Sequence, residues 1–239
     1  MKIQWNKITW YSKVLALALF VALPFIGFYF GEKYGKITGF VNGYEVSKQI
    51  IQNITAQNNT DYYQNVATWQ TDLNNSGDWS IAYPIDFQAD DSYSVIPTDN
   101  WREGTPGGPG LKPFTLTIPK IFEPQTNFSD AILSVGVSND VKAVAQCLVP
   151  DVMNDQASTS TTTINGTIFD VFNFSDAGAG NYYETTSYRT IHSGQCYAVE
   201  YTIHSNQIAN YPPEYQLKSF DKAKIQSVLD RIVGTFKFK

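Results

Sequence analysis

A chain of 239 residues, less an anchor and a tether, leaves about 160 residues, enough for one domain with its own core. Its formal charge of −5 is unevenly spread: residues 1–36 hold five lysines against one glutamate, which leaves 12 basic and 21 acidic residues, a net −9, in the rest. So acidic a remainder argues against nucleic acid and against an anionic membrane surface as its partner.

Residues 14–30 (VLALALFVALPFIGFYF) are an unbroken apolar run, with Lys13 before it and Glu32, Lys33 and Lys36 after it. As a helix rising about 1.5 Å per residue, the run covers roughly 26 Å of a hydrocarbon core of about 30 Å. Trp10, Tyr11, Tyr29 and Tyr34 supply the aromatic belt of a helix that meets headgroups at both ends. A cleaved signal peptide would need small residues just past the apolar core. Ala16-Leu17-Ala18 lies inside the core and its far end is Phe28-Tyr29-Phe30-Gly31, so the run reads as a retained anchor. Lys2, Lys7 and Lys13 ahead of it outnumber Lys33 and Lys36 behind it, which places the N-terminus in the cytoplasm and the C-terminal bulk outside. The stretch 49–101, with seven aspartates and no Lys or Arg, agrees with export.

Glycine recurs at every fourth position from Gly27 to Gly43. In a helix this spacing drifts by about 40° per step, so two or three glycines share a face, and Gly27 and Gly31 offer a helix–helix contact through which the anchor could form a homo-oligomer. Residues 37–76 are rich in Asn, Gln and Thr and read as a polar tether. Within it Tyr62, Val66, Trp69 and Leu73 fall at i, i+4, i+7 and i+11, which predicts one amphipathic helix.

The folded domain is expected over 77–239. Residues 79–83 alternate like a half-buried strand that Pro84 ends, and 93–96 allow a short second strand. The Gly- and Pro-rich stretch 104–110 is a loop without the Lys-Ser/Thr ending that a phosphate-cradling loop requires. Further strands are expected at 114–118 and 132–137, and a short helix at 141–148. Asn165-Gly166 between residues 160–164 and 167–174 is a strong hairpin signal, and 182–192 and 196–204 follow as two long strands joined across Ser193-Gly194. In the second of these, Tyr197, Val199, Tyr201 and Ile203 share one face, while Cys196, Ala198, Glu200, Thr202 and His204 share the other. Ile225, Val228, Leu229 and Ile232 mark a helix over 221–233 that Gly234 closes, before a last strand at 235–238. Antiparallel strands with a closing helix give an α+β layer structure.

Cys147 and Cys196 belong to no CxxC pair. In an exported domain they form one structural disulfide, whose loop of about fifty residues stabilises by roughly 4 kcal/mol on the chain-entropy model. In a reducing compartment they would be two buried thiols, so bridge and export stand together.

The opening on Trp79 and Tyr83-Pro84, the hairpin with Tyr188-Arg189 and Cys196-Tyr197, and the end Phe220-Asp221, Leu229, Ile232 and Thr235-Phe236-Lys237-Phe238 carry a resemblance. Over roughly 77–239 the chain resembles the PsbP-like α/β/α sandwich. More closely it resembles uncharacterised membrane-anchored proteins of small-genome bacteria in the candidate phyla radiation. The resemblance implies an extracytoplasmic accessory or binding module.

No catalytic motif is evident and no cofactor is expected. His192 and His204 sit in no HxH, HExxH or HxxE setting and read as exposed strand histidines rather than a metal pair with Glu200. Asp86, Asp90 and Asp91 lack the register of a calcium loop. What remains is aromatic: Tyr182, Tyr188, Tyr211 and the nearby His192 offer a binding surface for a protein or glycan. The chain therefore reads as a non-catalytic module anchored in the bilayer by residues 14–30. A pilin-like subunit of a surface assembly is the alternative, and the lack of a Gly-Phe-Thr processing site speaks against it.

Overall fold

The computed structural model describes residues 10, 13–14, 19–20, 23–24, 63, 65–73, 78–90, 97–105, 107–150 and 160–239. The chain forms two compact units, Met1–Asn58 and Asn59–Lys239. In the first, Trp10, Lys13, Val14, Leu19, Phe20, Leu23 and Pro24 are helical. Among the described residues no helix is long and apolar enough to cross a membrane; most of the 14–30 run lies outside them, as do Gly27 and Gly31.

The second unit opens with β1 (Gln70–Leu73), β2 (Trp79–Tyr83), β3 (Gln88–Asp90), β4 (Leu111–Pro119) and β5 (Phe128–Ser138). A short helix α1 (Val141–Ala145) precedes β6 (Ser160–Ile164), β7 (Thr167–Gly178), β8 (Asn181–His192) and β9 (Gln195–Asn206). Helix α2 (Lys222–Val233) and β10 (Lys237–Phe238) close the chain. Strands β3-β4-β5-β9-β8-β7-β6 form one antiparallel sheet, and β1-β2-β10 form a second, smaller one.

Three successive hairpins set the register of the large sheet. Asn165-Gly166, Ala179-Gly180 and Ser193-Gly194 each take two positive φ angles in a row, at 47° and 84°, 51° and 81°, and 49° and 76°. That geometry matches the right-handed twist of the flanking strands and joins β6 to β7, β7 to β8 and β8 to β9 by two-residue turns.

The register turns Tyr197, Val199, Tyr201 and Ile203 of β9 into the main core, beside Leu133 and Val135 of β5 and Leu116 of β4. Helix α2 lays Ile225, Val228, Leu229 and Ile232 on this inner face. Asp221 caps its start by accepting the Lys224 amide at 3.0 Å, and the Gly234 amide closes its end on the Asp230 carbonyl at 2.8 Å. Trp79, Ile81 and Tyr83 of β2 enter the same core, with Trp79 edge-on to Phe114 at 6.3 Å. Each such fully buried side chain contributes about 1.5 to 3 kcal/mol relative to an exposed one.

The helix expected over residues 62–73 does not form in its described part, 65–73. Instead Asn65 caps a single 3-10 turn, Val66–Thr68, and β1 pairs with β2 from Gln70↔Tyr83 to Leu73↔Ser80. Trp69 is buried but Leu73 is 54% exposed, so the apolar spacing has no continuous surface to cover. The edge of β2 supplies backbone partners that an isolated helix of three turns lacks, and pairing wins. Sheet structure thus begins within the stretch read as tether. The strand expected at 93–96 lies outside the described residues, and β3 pairs with β4 just before it. The last strand is shorter than expected because the Thr235 hydroxyl, rather than its backbone, meets Ala82: it accepts the Ala82 amide at 2.8 Å and lies 3.1 Å from the Ala82 carbonyl.

Candidate functional site

The outer face of the large sheet carries the opposite set of side chains, in which buried charges lie beside a second apolar cluster of Trp101, Ala143, Cys147, Cys196 and Ala198. Arg189 on β8 lies across the hairpin from Ala198 and diagonal to Glu200, which itself faces Ser187. Arg189 is fully buried. Its guanidinium sits 4.3 Å from the Phe172 ring centre, donates to Ser187 Oγ at 2.8 Å and to the Glu103 carbonyl at 2.9 Å, and lies 3.9 Å from Glu200 Oε1. Glu200 accepts the Glu103 amide at 2.8 Å. The pair therefore binds the backbone of the segment crossing above it.

That segment is fastened at several further points. Arg102, also buried, donates to the carbonyls of Glu103, Thr105 and Gln146 at 3.0, 3.0 and 3.1 Å. Trp101 is buried over Gly136, where an added Cβ would stand 2.1 Å from the Trp101 carbonyl oxygen, so only glycine permits the approach. Asp140 caps α1, and beyond α1 the Cys147–Cys196 disulfide ties the chain to β9 with the two Cα atoms 5.6 Å apart. Glu103 as a residue is exposed, yet burial around its carboxyl and then the Glu200 charge push it above the usual carboxylate range.

Past this cover, the start of β8 and the end of β9 bear aromatic and amide side chains. Tyr183 stacks on His204 at 4.5 Å. The His204 ring nitrogens meet Asp130 at 3.2 Å and Asn181 Oδ1 at 2.8 Å. Asn206 donates to the same Asn181 oxygen at 2.8 Å and accepts from the Tyr211 hydroxyl at 3.1 Å. The Tyr182 hydroxyl donates to Gln207 Oε1 at 2.6 Å, while the Gln207 amide holds the Gly180 carbonyl at 2.8 Å. Tyr182, Tyr211 and Tyr215 remain 42%, 37% and 62% exposed. Tyr182 and Tyr211 are thus held in place and still open to solvent, and Tyr215 lies edge-on to Tyr211 at 6.4 Å.

Of the four residues expected to form a binding surface, Tyr182 and Tyr211 meet here, linked through Gln207, Asn206 and the turn. Tyr188 does not join them. It faces the inner side, where its hydroxyl and that of Tyr201 both donate to Asp230 Oδ1, at 3.0 and 2.8 Å. Burial first, then the neighbouring phenol and carboxylate, raise Tyr188 above the usual tyrosine range, and burial chiefly raises Tyr201. His192 lies at the far end of the hairpin, stacked on Phe238 at 3.9 Å. Strand pairing separates the two histidines, since His192 faces Gln195 while His204 faces Tyr183 at the other end. Glu200 is occupied by Glu103 and Arg189, so the three form no metal site. Among the described residues no three His, Cys, Asp or Glu side chains gather to hold a metal ion. Asp86 accepts from the Tyr63 hydroxyl at 3.3 Å, Asp90 ends β3, and Asp91 lies outside the described residues.

The sequence reading missed Arg189 and Tyr215. For Arg189 a signal existed: once Ser193-Gly194 is the turn, counting back puts it on the face of Cys196 and Glu200. For Tyr215 there was none, because its position follows from two 3-10 turns, Ile208–Asn210 and Pro213–Tyr215.

No family model matches the chain, and no curated protein matches it. It is similar to the solution structure of cyanobacterial PsbP (CyanoP) from Synechocystis sp. PCC 6803, at 11% identity and a TM-score of 0.36, over 73% of this chain and 95% of that one. It is also similar to a crystal structure from Bacteroides thetaiotaomicron VPI-5482, at 11% identity and a TM-score of 0.33 over 72% of this chain, and it spans about half (49%) of that one. Likenesses of this size assign no role to any residue.

Proposed function

We propose that the chain is a non-catalytic, membrane-anchored accessory or binding module, with its N-terminus cytoplasmic and its acidic domain outside the membrane, whose tyrosine and amide end meets a protein or glycan partner. Residues 14–30 hold it in the bilayer, and Gly27 with Gly31 provides a self-association face there. Its kin are to be sought among the membrane-anchored proteins of candidate-phyla-radiation bacteria, on the strength of the residues quoted above.

The observation that carries this reading is the cluster of Tyr182, Tyr211 and Tyr215 with Asn206 and Gln207. Rings held by hydrogen bonds lose little entropy on binding, and the neighbouring amides can exchange bonds with hydroxyls or backbone of a partner. The Arg189–Glu200 pair serves the fold, since it holds the backbone of Glu103 and the Ser187 hydroxyl.

The full chain in mild detergent, immobilised and exposed to envelope extract, is expected to retain a partner that the Tyr182→Ala, Tyr211→Ala double variant retains about tenfold less, the effect of removing interface aromatics. Undiminished retention by the double variant contradicts the proposal.

A further inference from the structure

Because β2 turns Trp79, Ile81 and Tyr83 into the core, alternation sends Ser80 and Ala82 to the opposite side of the small sheet. A groove of about 510 Å³ runs between β2, the C-terminal end of α2 and the Asn165 turn, and Ile81 as well as Ser80 and Ala82 reaches it. Its volume falls within the range of sites for small organic ligands, about 300 to 1,000 Å³. Ser80, Ala82, Asn165, Arg231, Thr235 and Lys237 are among the residues that line it.

Two independent features give the groove a chemical preference. Among the described residues, the ionisable side chains that line it, Arg231 and Lys237, are both cations, within a part of the chain that carries a net −9. The second feature is Ser80. The residue is 1% exposed, yet among the described residues its hydroxyl has no hydrogen-bond partner. Buried polar groups are almost always satisfied, and one left unsatisfied in a groove wall marks a place where a bound group completes the bonding.

The surroundings also lessen one obstacle to an anion. The end of a helix presents carbonyl oxygens that repel negative charge. Here the last-turn carbonyls of Asp230, Ile232 and Val233 accept the amides of Gly234, Thr235 and Phe236, at 2.8, 3.0 and 3.0 Å, and the Asn165 side-chain amide donates to the carbonyls of Gly234 and Phe236 just beyond, at 3.0 and 2.8 Å. Thr235 is engaged with Ala82 and holds the wall in place.

From these observations we infer that the groove binds a phosphate-type oxyanion on a small organic body, with Lys237 matching its charge and the Ser80 hydroxyl donating to an oxygen. Phosphate esters in solution and the headgroup of a phospholipid share this chemistry. The site is separate from the tyrosine end and does not depend on its role.

The test uses the full chain, labelled with nitrogen-15, in nonionic detergent micelles at constant ionic strength. One arm adds inorganic phosphate against a chloride control, and a second adds short-chain phosphatidylglycerol to the micelle. Saturable amide shifts confined to Ser80, Ala82, Thr235 and their neighbours are expected in at least one arm. Saturation by phosphate points to a soluble ligand, and saturation by the lipid alone points to a headgroup; either supports the site. Lys237→Gln, at an exposed position, should weaken binding about tenfold, the effect of one charge-assisted hydrogen bond. Ser80→Ala should weaken it about threefold. The absence of saturable shifts in both arms, or equal affinity in Lys237→Gln with its folded spectrum intact, overturns the inference.

Discussion

The two faces of the seven-stranded sheet are held by different physics. On the inner face, β9 contributes Tyr197, Val199, Tyr201 and Ile203 to a core whose hold is additive and tolerant of order. On the outer face, the same strand contributes Cys196, Ala198 and Glu200, and the cover is held by a covalent bridge and two buried arginines that grip backbone carbonyls. The inner face can be stabilised piecemeal. The outer one works as a set, because a buried charge with one partner removed costs more than the pair contributes.

The largest expected loss comes from unfastening the outer face. Replacing both Cys147 and Cys196 with serine should lower unfolding free energy by about 4 kcal/mol on the chain-entropy model for a separation of 49 residues. Urea unfolding of the variant beside the oxidised parent measures it. Arg189→Met should cost about 3 kcal/mol by leaving Glu200 buried without its cation. The double variant Arg189→Met, Glu200→Leu should recover most of that loss. If the double variant is less stable than the single one, the outer face is not organised around the pair.

A smaller effect distinguishes the rim of the inner face. The folded-state pKa values of Tyr188 and Tyr201 lie above the unfolded value, so the stability they supply is complete below about pH 10 and is lost as pH rises through the folded values. Tyr201→Phe should cost about 1 kcal/mol at neutral pH, from one lost hydrogen bond to Asp230, and should flatten the fall in stability above pH 10. Unfolding curves at neutral and alkaline pH for the two proteins provide the comparison.

The same contrast explains what could be read from the sequence. Features fixed by neighbours along the chain were legible. Asn165-Gly166 and Ser193-Gly194 announce their turns, Ile225 through Ile232 announce α2, and the alternation in β9 assigns its two faces before any partner strand is known. Features fixed across the chain were not. Val66, Trp69 and Leu73 have helical spacing, and only the distant edge of β2 draws Gln70–Leu73 into β1 instead. Tyr182 and Tyr211 come together through Asn206, Gln207 and Gly180, whereas Tyr188 and His192, close to Tyr182 in sequence, point to other elements. The candidate site was therefore half legible: aromatic content was visible, and the choice of rings depended on the return of the chain after β9.

The binding role of the tyrosine end can be tested in place by putting a photo-crosslinking amino acid at position 182, and separately at position 168, in the full chain in intact cells. Ile168 is 66% exposed on β7 and lies outside the aromatic and amide cluster. The account predicts a discrete crosslinked species from position 182 and none from position 168. No crosslink at 182, or the same crosslinked species from both positions, would contradict it.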